Sequence, residues 1–411
     1  MRLRLFSAQA KPSGWYGRLI MVGGGTLIVF GLLMLSMRLS NATIDADFSQ
    51  DYFASQALLS GQTLYNPEFH NNHPPFDMLL ILPLALLSYH TAFLIWSALA
   101  LLCYGAVGLI VARELNIALA PHWVALTVGL ALCWSPFQEQ MALGQWSILI
   151  AAGLIGCWAL LRHGRDRLAG VLLGFACLIK LFPGLLIVYL LLRRRWQAAA
   201  VASATVAFGG LLSLAIVGPS DTLDFFLRVA PTNAAVLAAF PLNTALAGPI
   251  SRLLVDGAWV RPLLVAPSLA IWLNRLASLG LLIVLARQTW RAPAMRRGDD
   301  VAFAAVCIAM LLISPLTWQH TSMLLLLPFG LLLRELLDRP SWRGAAVSLL
   351  ALALVSPPNI DIARALIGLY KPDRMPWFAA LPLIAPTAGM LLIWWLISAP
   401  ARAAARRRDC I

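Results

Sequence analysis

Asp45, Asp47 and Asp51 fall within seven positions of one another, just after the first long apolar run of the chain. Around them charge is scarce: 12% of the 411 residues are Asp, Glu, Lys or Arg, and mean hydropathy is +0.80. A carboxylate beside hydrocarbon is costly to desolvate unless it stays wet or does chemistry there. The chemistry it suits is general-base catalysis, taking the proton of a hydroxyl. A solvated acidic loop would carry the same residues, so the other polar residues have to decide.

Those residues form a short inventory: the run His70-Asn71-Asn72-His73-Pro74-Pro75, Glu139 through Gly144-Gln145, Lys180, Asn243-Thr244, Arg275 and Trp318-Gln319-His320. Cations and an imidazolium suit a phosphate that is held and then expelled as a leaving group. Each residue also has a plainer role. Lys180 can snorkel to the interface, Gln145 can cap the helix that follows, and His320 can be a hydrogen-bonded interfacial histidine. Trp318, like most of the 15 tryptophans, suits an interface anchor. Arg275 stands in an apolar helix, where its charge calls for a partner anion. The i, i+3 spacing of His70 and His73 means little beside two prolines. The six cysteines show no metal-ligand spacing. There is no Gly-x-Ser-x-Gly, no usable Cys–His pair and no Walker motif, so hydrolytic nucleophiles and direct use of nucleotides are not indicated.

The elements that must position these residues are membrane spans. With 60% hydrophobic residues the chain reads as one all-α polytopic membrane domain over 1–411, without a large soluble part. Hydropathy predicts twelve spans: 19–37, 91–112, 122–136, 146–161, 168–180, 184–192, 197–217, 264–286, 301–314, 321–337, 344–356 and 377–398. The N-terminus resembles an uncleaved signal anchor. The net charge of +13 is arginine-rich and gathers in short runs between spans, which is the positive-inside pattern and not a nucleic-acid groove. A hairpin with Lys180-Leu181-Phe182-Pro183 at its tip keeps Arg162 to Arg167 and Arg193 to Arg195 on one side. The short apolar segment 75–89 then reads as juxtamembrane or re-entrant. This threading places both termini in the cytoplasm, with large outer loops at 38–90 and 218–263 and a last one at 357–375. It also places the unusual polar residues together on the outer face of a cytoplasmic membrane.

In order along the chain, these motifs resemble glycosyltransferase family 87, the polyprenyl-phosphate-sugar-dependent transferases of GT-C fold. The matching elements are Asp47-Phe48 with Tyr52, Ala54, Leu58-Leu59, Gly61 and Tyr65; Pro74-Pro75-Phe76; Pro83 to Leu87; Gly144-Gln145; Gly170 to Lys180 with Pro183 and Arg193 to Trp196; and Ser314 to His320. The resemblance implies a GT-C-like bundle with short juxtamembrane helices in the first outer loop. It implies transfer of a sugar, mannose by preference, from a polyprenyl phosphate to an envelope glycolipid or glycan, with inversion. Asp47 would be the general base, its pKa kept low by nearby cations. Lys180, His320 and Arg275 would hold the donor phosphate; Tyr52, His73, Gln145, Asn243, Trp318 and Gln319 would line the substrates. Asp51 stands where many relatives carry an aromatic residue, and could be a second acid, a metal ligand or an acceptor-binding group. Asp45, Asp47 and Asp51 could hold a divalent metal, but no independent ligand supports one, and no cofactor is assigned. The alternative function is a transporter or flippase of a lipid-linked sugar. Against it, no inverted repeat is evident and the key charges gather on one side.

Overall fold

The computed structural model describes residues 14–40, 47–65, 71–291 and 296–408; Asp45 and His70 lie outside them. Segments in hydrocarbon must satisfy their own backbone groups, and the fold follows that rule. The described chain is almost entirely helical, apart from a two-residue parallel bridge between Val260–Arg261 and Met375–Pro376. The helices that position the site come first: α1 (Gly14–Ser40), α2 (Asp47–Leu59), α3 (Pro75–Ala85), α4 (Tyr89–Glu114), α5 (Pro121–Cys133), α6 (Ser135–Leu143), α7 (Ser147–Arg162), α8 (Asp166–Ile179), α9 (Leu185–Leu192) and α10 (Trp196–Val217). Beyond them lie α11 (Pro219–Asp224), α12 (Ala230–Val236), α13 (Ala247–Leu254), α14 (Pro267–Arg291), α15 (Arg296–Ile313), α16 (Leu326–Asp338), α17 (Trp342–Val355), α18 (Asn359–Tyr370) and α19 (Ala385–Arg408).

Twelve full spans are not found among the described residues. Six helices are long and apolar enough to cross a membrane, and eight segments qualify if the bent pairs α6–α7 and α17–α18 each count as one. The shortfall has a physical cause. Hydropathy locates apolar runs but does not measure unbroken helix. The 13 residues of α5, 14 of α8 and 8 of α9 rise only about 1.5 Å each, against a hydrocarbon core about 30 Å thick.

Close contacts at glycines give the helix directions. A Cβ on Gly24 would lie 2.5 Å from the Leu126 backbone, and one on Gly31 would lie 2.7 Å from Leu132 Cβ. Position rises together along both chains, so α1 and α5 run parallel. The same test makes α8 parallel to α10: Gly170 abuts Ala198 and Ala202, Gly174 abuts Thr205, and Gly209 abuts Leu178. Small residues at four-residue spacing let the two backbones approach, as in other membrane helix pairs. Since α8 and α10 both start from a basic cluster, tied by Arg195 Nη1 to Asp166 Oδ1 at 3.1 Å, the intervening α9 must run back. Lys180 therefore sits at a hairpin tip. That tip is level with the middle of α10, which continues from Gly209 to Val217 for about 12 Å more.

An ion-paired belt closes the end of the bundle that carries those basic clusters. Arg162 bridges Glu114 of α4, at 3.1 Å, and Asp300 of α15, which also accepts from Trp158 Nε1 at 2.8 Å. Arg193 pairs with Asp299, and Arg297 with Glu335. At the opposite end α6 stops at Gly144, whose φ of +64° only glycine adopts freely, and α7 leaves at 117°. Phe48 leaves no room for a side chain there, since a Cβ on Gly144 would stand 2.7 Å from Phe48 Cβ.

Candidate active site

Asp47 and Asp51 are one helical turn apart on α2 and share a face. The neighbouring face of the helix is aromatic: Phe48 packs among Tyr52, Tyr89, Phe93 and Trp96. This anchors α2 against α4 and leaves its carboxylates towards the bundle interior. Ser55 Oγ donates to the carbonyls of Asp51 (2.7 Å) and Met78 (3.1 Å), clamping α2 to α3.

The turn at Gly144 supplies the other wall. Trp96 Nε1 holds the Gly144 carbonyl at 2.7 Å. The next three residues each reach a different site group. Gln145 Nε2 donates to Asp47 Oδ2 at 2.5 Å, Trp146 Nε1 donates to Asp51 Oδ2 at 2.7 Å, and Ser147 Oγ lies 2.8 Å from His320 Nδ1. Gln50 completes Asp47 by donating to Oδ1 at 3.2 Å. His73 Nδ1 completes Asp51 at 2.6 Å from Oδ1. The His73 backbone is itself fixed, its N–H donating to Asn71 Oδ1 at 3.0 Å and its carbonyl accepting from Tyr65 at 3.0 Å.

The two aspartates thus differ. Both carboxylates have both oxygens engaged, but Asp51 is buried, whereas Asp47 keeps a half-buried side chain at the edge of the cluster. Burial pushes the Asp47 carboxyl up, and the Gln145 hydrogen bond and the charges of His73 and Lys180 pull it down without cancelling that rise. The expectation that cations hold this pKa low is therefore corrected: desolvation outweighs them. Lys180 interacts electrostatically with Asp77, Asp51 and Asp47, in that order, and its ammonium has no hydrogen bond or ion pair among the described residues.

The structure brings together Asp47, Asp51, His73, Gln145, Lys180 and His320. Other residues expected to line substrates are occupied in holding the scaffold. Tyr52 donates its hydroxyl to the Leu87 carbonyl at 2.7 Å. Asn243, fully buried, donates to the carbonyls of Ala238 and Pro315 and accepts from the N–H groups of Ala245 and Thr317. Gln319 ties the α17–α18 bend through Pro357 and Asn359. Trp318 packs edge-on against Phe240 at 5.5 Å. Arg275 is exposed on α14 with its guanidinium 5.5 Å from the Trp272 ring centroid, so an aromatic face takes the place of the expected partner anion.

Three residues of the cluster escape a reading by motif: Asp77, Trp146 and Ser147. Asp77 is fully buried with neither carboxylate oxygen hydrogen-bonded. Its signal was present, as the one charged residue of the apolar segment 75–89. Trp146 and Ser147 carried none, because their importance depends on the direction of the chain after Gly144.

The model of glycosyltransferase family 87 matches residues 71–315, well over half of the chain, and includes His73, Gln145 and Lys180 of this site. The chain belongs to that family. As a family 87 glycosyltransferase it is similar to the polyprenol-phosphate-mannose-dependent alpha-(1-2)-phosphatidylinositol mannoside mannosyltransferase of Mycobacterium tuberculosis strain H37Rv. They are 27% identical over 386 residues, covering 86% of this chain and 83% of the other. It is also similar to the corresponding pentamannoside mannosyltransferases of Mycobacterium tuberculosis strain CDC 1551 and Mycolicibacterium smegmatis. These are 29% and 27% identical, covering 75% of this chain each and 68% and 72% of their own lengths. No solved structure gives a significant match. Asp47, Asp51 and His320 lie outside the matched segment, so their part in the site rests on the geometry above.

Proposed function

We propose that this family 87 enzyme transfers mannose from a polyprenol-phosphate donor to a hydroxyl of a lipid-anchored glycan, of the phosphatidylinositol mannoside type, on the outer face of the membrane. The relatives' donor and acceptor support the substrate classes. The observation that carries the mechanism is the half-buried Asp47 carboxylate, aligned by Gln145 and Gln50, facing the unpaired Lys180 across one polar cluster. The acceptor oxygen attacks C1 of the sugar and its proton passes to Asp47. The C1–O bond to phosphate breaks with the electron pair leaving on polyprenyl phosphate, and the anomeric centre inverts. Lys180, and His320 held by Ser147, stabilise the charge that gathers on the departing phosphate. Asp51 is the less accessible base, since it is buried whereas Asp47 is half-buried.

An open groove of about 440 Å³ between α1 and α4, lined by Leu32, Leu35, Leu39 and Leu94 together with Ser36, Ser40 and His90, offers the prenyl chain a lateral seat. The ionic belt rich in arginine at the opposite end of the bundle supports a cytoplasmic orientation for that end. The test is transfer from labelled polyprenol-phosphate-mannose in membranes. Asp47→Asn is expected to lose about 10²–10⁴-fold, the usual contribution of a positioned base. Undiminished transfer by a folded Asp47→Asn variant rules this mechanism out.

A further inference from the structure

We propose that Asp51, His73 and Asp77 form a binding site for one divalent transition-metal ion beside the sugar-transfer centre. Each offers a ligand atom, these atoms lie within 4.8 Å of one another, and all three residues are buried. Two ligands about 2.1 Å from a common ion stand about 3.0–3.4 Å apart, so small side-chain rotations close the site. Two carboxylates with one imidazole suit Mn²⁺ or Zn²⁺ and leave coordination positions open.

Asp77 is the observation that makes this more than an acidic cluster. It is 0% exposed, neither oxygen has a hydrogen-bond partner, and its carboxylate points into the space shared with Asp51 and His73. An uncompensated buried carboxylate is strongly destabilising. Lys180 is the cation that acts on it, and Lys180 is shared with Asp51 and Asp47. Ionised together, the three carboxylates against one ammonium would leave two negative charges, which one divalent ion balances. The surroundings are built as supports for ligands. Trp146 Nε1 donates to Asp51 Oδ2 at 2.7 Å, Asn71 and Tyr65 fix the His73 backbone, and Ser55 joins the helices that carry the two aspartates. The set differs from the Asp45–Asp47–Asp51 run suggested by sequence, and it leaves Asp47 free to act as base.

The competing arrangement is a proton on Asp77, which needs no metal and binds none. The experiment uses the full-length, tag-free protein in nanodiscs, stripped with chelator. It is then titrated with Mn²⁺ followed by paramagnetic resonance of the free ion, and with Zn²⁺ followed by bound metal content. The expected result is about one ion per chain, with Kd raised at least tenfold by Asp77→Asn and by His73→Gln. Both variants should elute as wild type on size exclusion. Asp47→Asn should bind as wild type does while failing to transfer sugar, so the metal site and the transferase mechanism can fail separately. No saturable binding of either ion by the wild type overturns the proposal, as does unchanged affinity in a folded Asp77→Asn variant.

Discussion

Replacing Gln145 with Leu removes the 2.5 Å donor to Asp47 Oδ2 and leaves the carboxylate in place. A hydrogen bond to a charged group is worth about 1.5–3 kcal/mol, so the proton affinity of Asp47 should rise about tenfold to a hundredfold. The sign follows from the role. Asp47 acts as base only when ionised, so activity is present above its pKa and lost as pH falls through it. Burial already raises that pKa, with Asp51 adding to the rise and Gln145, His73 and Lys180 opposing it. Without Gln145 the acid limb of kcat/KM must therefore move to higher pH. On that limb the variant should be about ten to a hundred times slower than wild type, and on the alkaline plateau it should recover most of the difference. The assay is kcat/KM against pH with labelled polyprenol-phosphate-mannose and purified acceptor. Trp146→Phe is the control, because it takes the donor from Asp51 instead. If the limb stays put in a folded Gln145→Leu protein, or moves only in Trp146→Phe, the assignment of Asp47 as base is refuted.

Gly144→Ala should lose about 2–5 kcal/mol of stability from its left-handed φ and its clash with Phe48, read as a lowered unfolding temperature in detergent. It should also cut transfer about a hundredfold, because it displaces the three residues that follow; wild-type melting would show that the turn can yield. Lys180→Gln should sharply weaken turnover of the lipid-phosphate donor, whereas Arg275→Gln should leave steady-state kinetics within about twofold, since Arg275 faces Trp272. Comparable losses in both would return Arg275 to the site. Arg162→Met strands the buried Asp300 and part of Glu114, and a loss of about 3–5 kcal/mol is expected with the catalytic pH profile unmoved. A shifted profile would show that the belt is coupled to the site.

The membrane class was legible in composition, and the hairpin at Lys180 in the position of two arginine clusters. Both are consequences of where charge can stand relative to hydrocarbon. The motif order also placed Asp47, Gln145, Lys180 and His320 in one functional set before any contact was known. The number of spans was not legible. An apolar run of eight or thirteen residues has the transfer free energy of a span without its length, and only the break at Lys180 and the bend at Gly144 show where helices stop short. Asn243, Gln319 and Tyr52 read as substrate-lining residues because the family resemblance implies it. They turn out to be satisfied by backbone groups far away in sequence.

By itself the sequence determined that this chain lives in a membrane, which end of the bundle carries its basic residues, and which residue types were available for transfer chemistry. These are sums over single residues, each set by its cost of leaving water. Tertiary structure alone decided that Gln145, Trp146 and Ser147 reach three different partners and that Asp77 stands bare beside Asp51 and His73. Those are pair relations between distant segments. They depend on a 117° bend and on helices run parallel by close glycine contacts, and no one-dimensional pattern of hydropathy carries them.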